Sequence, residues 1–96
     1  MLKMSVPVGA GNDAIQQGKL PQVLGQTLDR LKPEAAYFFP EEGRRAALFV
    51  FDLKDPSEIP GILEPLFVGF NAAVELTPVM NLEDLQKGLA AAGQKA

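Results

Sequence analysis

The side chains able to do chemistry here are few. The 96-residue chain has no His and no Cys. A Cys nucleophile, a Cys redox couple and a disulfide framework are therefore excluded. The usual zinc and haem ligands are missing as well. Any general acid or base must be Asp, Glu, Lys or Tyr. A Mg²⁺ or Ca²⁺ site built from carboxylates alone needs clustered acids, and no D-x-D-x-D loop occurs. We expect no metal and no cofactor.

Polar residues on otherwise apolar strands are then the ones to weigh. Lys3 and Ser5 interrupt Leu2, Met4, Val6 and Val8; Glu75 and Thr77 interrupt Val74, Leu76 and Pro78. Strand side chains alternate between faces, so these four share the face opposite the apolar sets. Lys3, Glu75 and Thr77 are candidate ligand-binding residues. Glu75 is the candidate acid or base, because burial on that face would raise its pKa. The plain alternative is an edge carboxylate in water. Lys3 and Glu75 each open their strand, and antiparallel strands would hold them at opposite ends. Tyr37, the only Tyr, stands beside Phe38 and Phe39. Its hydroxyl could orient a small ligand, or its ring could simply pack. Arg44-Arg45 is the only basic pair, and Arg45 is a candidate for holding a carboxylate or phosphate. The pair could equally form a solvated cluster with Glu41-Glu42. Asn12, beside Gly11, reads as a helix cap before a ligand contact.

The elements that must position these residues follow from periodicity. Met1 to Val8 alternates as a strand. Gly9-Ala10-Gly11 reads as a turn; it matches neither G-x-G-x-x-G nor G-K-[ST], so no phosphate loop is expected. Asn12 should cap a helix from Asp13 to about Leu31, broken near Gly18-Lys19 by Pro21. Ala35 to Phe39 is a short strand, and Pro40 to Gly43 a hairpin loop. In the next strand, Arg44 to Leu53, both alternating sets of Ala46 to Phe51 are apolar. Such a strand belongs at the centre of a sheet, buried on both faces. Asp55-Pro56-Ser57-Glu58 is a helix start. Ile59 to about Gly69–Asn71 should be distorted or in two pieces, because Pro60 and Pro65 remove hydrogen bonds. Ala73 to Met80 is the last strand, placed at an edge by Pro78. Asn81 caps a final helix with Leu82, Leu85 and Leu89 as its stripe. Gly93 should end it and Gln94 to Ala96 should fray.

The order is β-α-β-β-α-β plus a terminal helix. It predicts one α+β domain over residues 1–96: a ferredoxin-like sandwich with an antiparallel sheet in the order 4-1-3-2. Right-handed crossovers put both connecting helices on one face. The other face stays open, although the central strand is apolar on both sides. A large exposed apolar face is unusual on a monomer. A homodimer through the sheet faces resolves this, unless the terminal helix covers part of that face.

Three runs also carry a resemblance: Pro33 to Phe38, Phe49-Val50-Phe51-Asp52 to Asp55-Pro56-Ser57, and Glu75 to Met80. They resemble an uncharacterised family of small bacterial proteins whose fold is similar to the dimeric α/β barrel group. The resemblance covers nearly the whole chain and implies a dimeric barrel. The wider group includes small monooxygenases, muconolactone isomerases and haem-degrading enzymes, none of whose catalytic signatures is matched here.

Composition narrows the partners. Hydrophobic residues make up 47%, which argues against disorder. The formal net charge is −3, against nucleic acid and an anionic lipid surface as partners. Arg45 to Val50 superficially fits the third-strand motif of RNA-recognition domains, but Ala47 replaces the stacking aromatic. No secretory leader is evident and no apolar run approaches the ~20 residues of a membrane span, so a cytoplasmic location is expected. Three readings follow. A dimeric binder of a small apolar or aromatic molecule is favoured. A cofactor-independent isomerase or monooxygenase using Glu75, Tyr37 or an Arg is the second. A structural or partner-binding dimer without a pocket is the third.

Overall fold

A computed structural model describes residues 1–93. Four strands, β1 (Leu2–Val6), β2 (Ala35–Glu41), β3 (Arg44–Val50) and β4 (Ala73–Leu76), form one sheet in the order β2-β3-β1-β4. All neighbours are antiparallel. Four helices complete an α+β fold: α1 (Val8–Gln16), α2 (Lys19–Leu31), α3 (Ile59–Phe70) and α4 (Leu82–Ala91). The element order is therefore β-α-α-β-β-α-β-α, with two helices in the first crossover.

Register assigns the two faces. Leu2 lies opposite Phe49 and Leu76, and Met4 opposite Ala47 and Val74. These residues form one cluster with Ala14, Leu31, Ile62, Leu66 and Phe70 of the helices. Phe49, Leu66 and Phe70 are fully buried there. The other face carries Lys3, Ser5, Tyr37, Phe39, Ala46, Leu48, Val50 and Glu75. Ala46 is buried, yet stands outside the helix-side cluster. Leu48 and Val50 are only half-buried. The expected burial of β3 on both faces thus holds on the helix side and only partly on the other, because no helix covers the latter.

Several local expectations need correction. Gly9-Ala10-Gly11 is not a turn but lies within α1, which opens at Val8 with Pro7 in the capping position. The Gly11 N–H already donates to the Pro7 carbonyl at 2.9 Å. Asn12 is consequently inside the helix and caps nothing. The break between α1 and α2 falls at Gly18, as anticipated, but its φ of +73° makes the turn. Pro21 does not cause it: it lies in the first turn of α2, where its missing N–H has no intrahelical acceptor to lose. The hairpin loop is shorter than expected. Glu42 and Gly43, with φ of +52° and +75°, form a two-residue turn, so β2 continues through Pro40 to Glu41. As an edge strand it tolerates Pro40. At the other edge, β4 stops at Leu76 rather than Met80. Thr77 donates its N–H to the Met1 carbonyl at 2.9 Å and accepts from the terminal ammonium at 2.8 Å; Pro78 has no N–H to continue the ladder.

The proline-rich helix resolves in two pieces, a 3₁₀ turn over Pro56–Glu58 and then α3. The Asp55 carboxylate accepts the Ser57 N–H at 2.9 Å. Pro65 lies inside α3 and leaves the Gly61 carbonyl without its i+4 donor. Arg30 of α2 supplies the substitute, Nη1 to the Gly61 oxygen at 2.9 Å. A side chain on Gly61 would collide with that guanidinium, since its Cβ would stand 2.5 Å from Nη2.

α4 is the exception to the packing. Asn81 and Asp84 form a reciprocal capping box, yet no residue of the helix is buried. The molecule measures 54 × 28 × 17 Å with a radius of gyration of 15.9 Å. A compact chain of this length has about 12.5 Å. The helix does not cover the open sheet face within its own chain. Gly93, at φ +79°, follows its end; the expected fraying of Gln94 to Ala96 lies outside the described residues. Among the described residues, no helix is long and apolar enough to cross a membrane.

Candidate functional site

The β2–β3 hairpin extends past the helices that cover the rest of the sheet. Where α1 and α2 fall short of it, a cleft of about 650 Å³ opens on the helix side. Its floor is Met4 and Val6 of β1 with Ala47 of β3. One wall is Phe38 and Pro40 of β2; the other is Val8 of α1 with Leu20 and Leu24 of α2. Ala47 matters because of its size: a larger side chain there would occupy the floor. Phe38 packs edge-on against Phe49, ring centres 5.9 Å apart, but remains 57% exposed. A large aromatic left open beside an apolar hollow is available surface rather than core.

The cleft has one anchored polar group. Arg45 stands on the helix face, opposite Val6 and Pro40. Its side chain lies across Gly11, where a Cβ would meet Nη1 at 2.7 Å. Its Nη2 donates to the Asn12 side-chain oxygen at 3.1 Å. Asn12 thus has a role that its helix-cap reading missed: it orients an arginine. Among the described residues, no carboxylate lies within 4.0 Å of the Arg45 guanidinium; the salt bridge they form is Lys3 Nζ to Glu41 Oε1 at 2.7 Å. That pair lies on the opposite face of the sheet. The hydrogen bond to Glu41 holds the Lys3 pKa above its ordinary value, with burial opposing and the charges of Glu41, Glu75 and Glu42 adding to it.

The other sequence candidates are placed elsewhere. Tyr37, Lys3 and Glu75 project from the open face, Tyr37 being 63% exposed. Register puts Lys3 directly opposite Glu75. This corrects the expectation that they lie at opposite ends, which fails because β4 is short and pairs with β1 from Leu2 to Ser5 only. Lys3 nevertheless makes its ion pair with Glu41. Glu75 is exposed in the single chain. Thr77 lines a second hollow of about 510 Å³ at the far end of the sheet, with Phe51, Leu53 and Ile59. The structure therefore brings Lys3, Tyr37 and Glu75 onto one surface, but sets Arg45 and Thr77 apart from them. The cleft residues Leu20, Leu24 and Phe38 escaped the sequence reading as site residues. They carry no chemistry of their own, and only the three-dimensional gap between hairpin and helices marks them.

Among the described residues, no group of three or more acids could hold a metal ion. A comparison with models of known protein families, with curated proteins and with solved structures finds no match.

Proposed function

We propose that this chain is a small-molecule binding module, and that the cleft between the β2–β3 hairpin and helices α1 and α2 receives an apolar or aromatic ligand. One observation carries the reading. The cleft is large enough for a small organic molecule and its lining contains no carboxylate, Lys or Tyr. Proton transfer needs an acid or base within hydrogen-bond reach of the substrate. Binding therefore fits the cleft better than the isomerase or monooxygenase chemistry of the alternative reading. Glu75 and Tyr37, the residues such chemistry would use, stand on the other side of the sheet.

The assembly we propose is a ferredoxin-like homodimer of the α/β barrel type, closed through the open sheet faces. Read from the β4 edge, the strand order is 4-1-3-2, which supports it. So do Leu48 and Val50, half-buried and apolar on a face that no helix covers. In that dimer Lys3, Tyr37 and Glu75 would line the space between the sheets.

The site reading is tested by titrating 2-naphthalenemethanol into ¹⁵N-labelled protein. Amide shifts confined to Val8, Leu20, Leu24, Ala47 and their neighbours are expected, together with their loss in Leu24→Trp, where the indole occupies the hollow. Absence of any localised shift contradicts the site.

A further inference from the structure

The structure assigns the cleft an acidic ligand: we infer that it takes a small apolar carboxylate, with Arg45 holding the carboxylate and Phe38 and Leu24 holding the apolar body. The inference rests on the binding reading above and names the ligand class for that site. An arginine has five N–H donors in a planar fork. Among the described residues, Arg45 uses one of them, on the neutral Asn12 amide. Glu41, the acid beside its strand neighbour Pro40, points to the opposite sheet face and is held there by Lys3. Gly11 leaves room for the guanidinium beside α1, and the Asn12 hydrogen bond orients it before any ligand arrives. An oriented guanidinium with free donors beside an otherwise apolar hollow recognises a planar anion. Arg44 also borders the cleft, but by register it belongs to the opposite face, across from Glu41, so Arg45 is the anchored charge available to an acidic group. The apolar lining then selects the remainder of the molecule.

The test compares two probes with the same ring system, 2-naphthoate and 2-naphthalenemethanol, by NMR titration of the full chain. Naphthoate should bind at least ~10-fold more tightly, the worth of one charge-assisted hydrogen-bond pair. Arg45→Met should erase that preference, weakening naphthoate far more than the alcohol. Gly11→Ala should do the same by pushing the guanidinium off Asn12. Because Gly11 is buried and its Cβ would stand 3.4 Å from Val6 Cγ1, Arg45→Lys, which keeps the charge but loses the fork, is the further variant; it should lower the preference if either of the others folds poorly. If the alcohol binds and naphthoate binds no better, or if the Arg45 and Gly11 variants weaken both probes equally, the carboxylate inference is overturned while the cleft stands. If neither probe shifts the cleft amides, both fall.

Discussion

Asp55 illustrates how much a single residue's role depends on one hydrogen bond. The Ser57 backbone N–H, and then its side chain, hold the Asp55 carboxylate below its ordinary pKa of 3.8. A depressed carboxylate contributes stability that is present above the unfolded pKa and lost as pH falls through the folded one. Asp55→Asn should therefore flatten the acid limb of the stability–pH profile below about pH 4, with little change at neutral pH because Asn also caps. Urea denaturation at several pH values checks it; an unchanged acid limb refutes it. Lys3 has the opposite sign: its contribution is complete below 10.5 and lost as pH rises through the raised folded value. Asp55 was legible in the sequence, since its cap motif is local. The partner of Lys3 was not. Glu41 lies two strands away, and only the sheet register and the length of both side chains bring the charges together.

At the scale of elements, the sequence showed where helices would fail but not what would compensate. Pro65 predicted a distortion in α3. That Arg30 of α2 fills the vacated Gly61 carbonyl follows from the packing of two helices and has no sequence signature. The two residues should be energetically coupled. Pro65→Ala restores the missing N–H and should stabilise the fold by about 1–2 kcal/mol after allowing for unfolded-state entropy. Arg30→Ala should cost up to about 1 kcal/mol in the natural background and nothing in the Pro65→Ala background. Equal cost in both, read from a double-mutant cycle of urea midpoints, would contradict the substitution of one donor for the other. The same limit explains Gly9 to Gly11. Glycines suggested a turn by composition, whereas Pro7 had already set the entry to a helix and Gly11 is kept small for Arg45.

At the scale of the whole molecule, alternation patterns placed β3 inside the sheet from Ala46–Phe51, and β4 does lie at an edge, although Pro78 falls beyond its last residue, Leu76. They were insufficient for the site. The cleft is an absence, a stretch of hairpin that the helices do not reach, and no residue type marks it. The polar strand residues that drew attention, Lys3, Tyr37 and Glu75, share the open face, which sets them apart from the cleft. We propose that the hollow beside the hairpin is where a ligand sits. A crystal structure of the full chain with 2-naphthoate tests it most directly. The ring system is expected between Phe38 and Leu24, with a carboxylate oxygen about 3 Å from the Arg45 guanidinium. Density for the acid elsewhere, with the cleft empty or filled by a neighbouring chain, would contradict it.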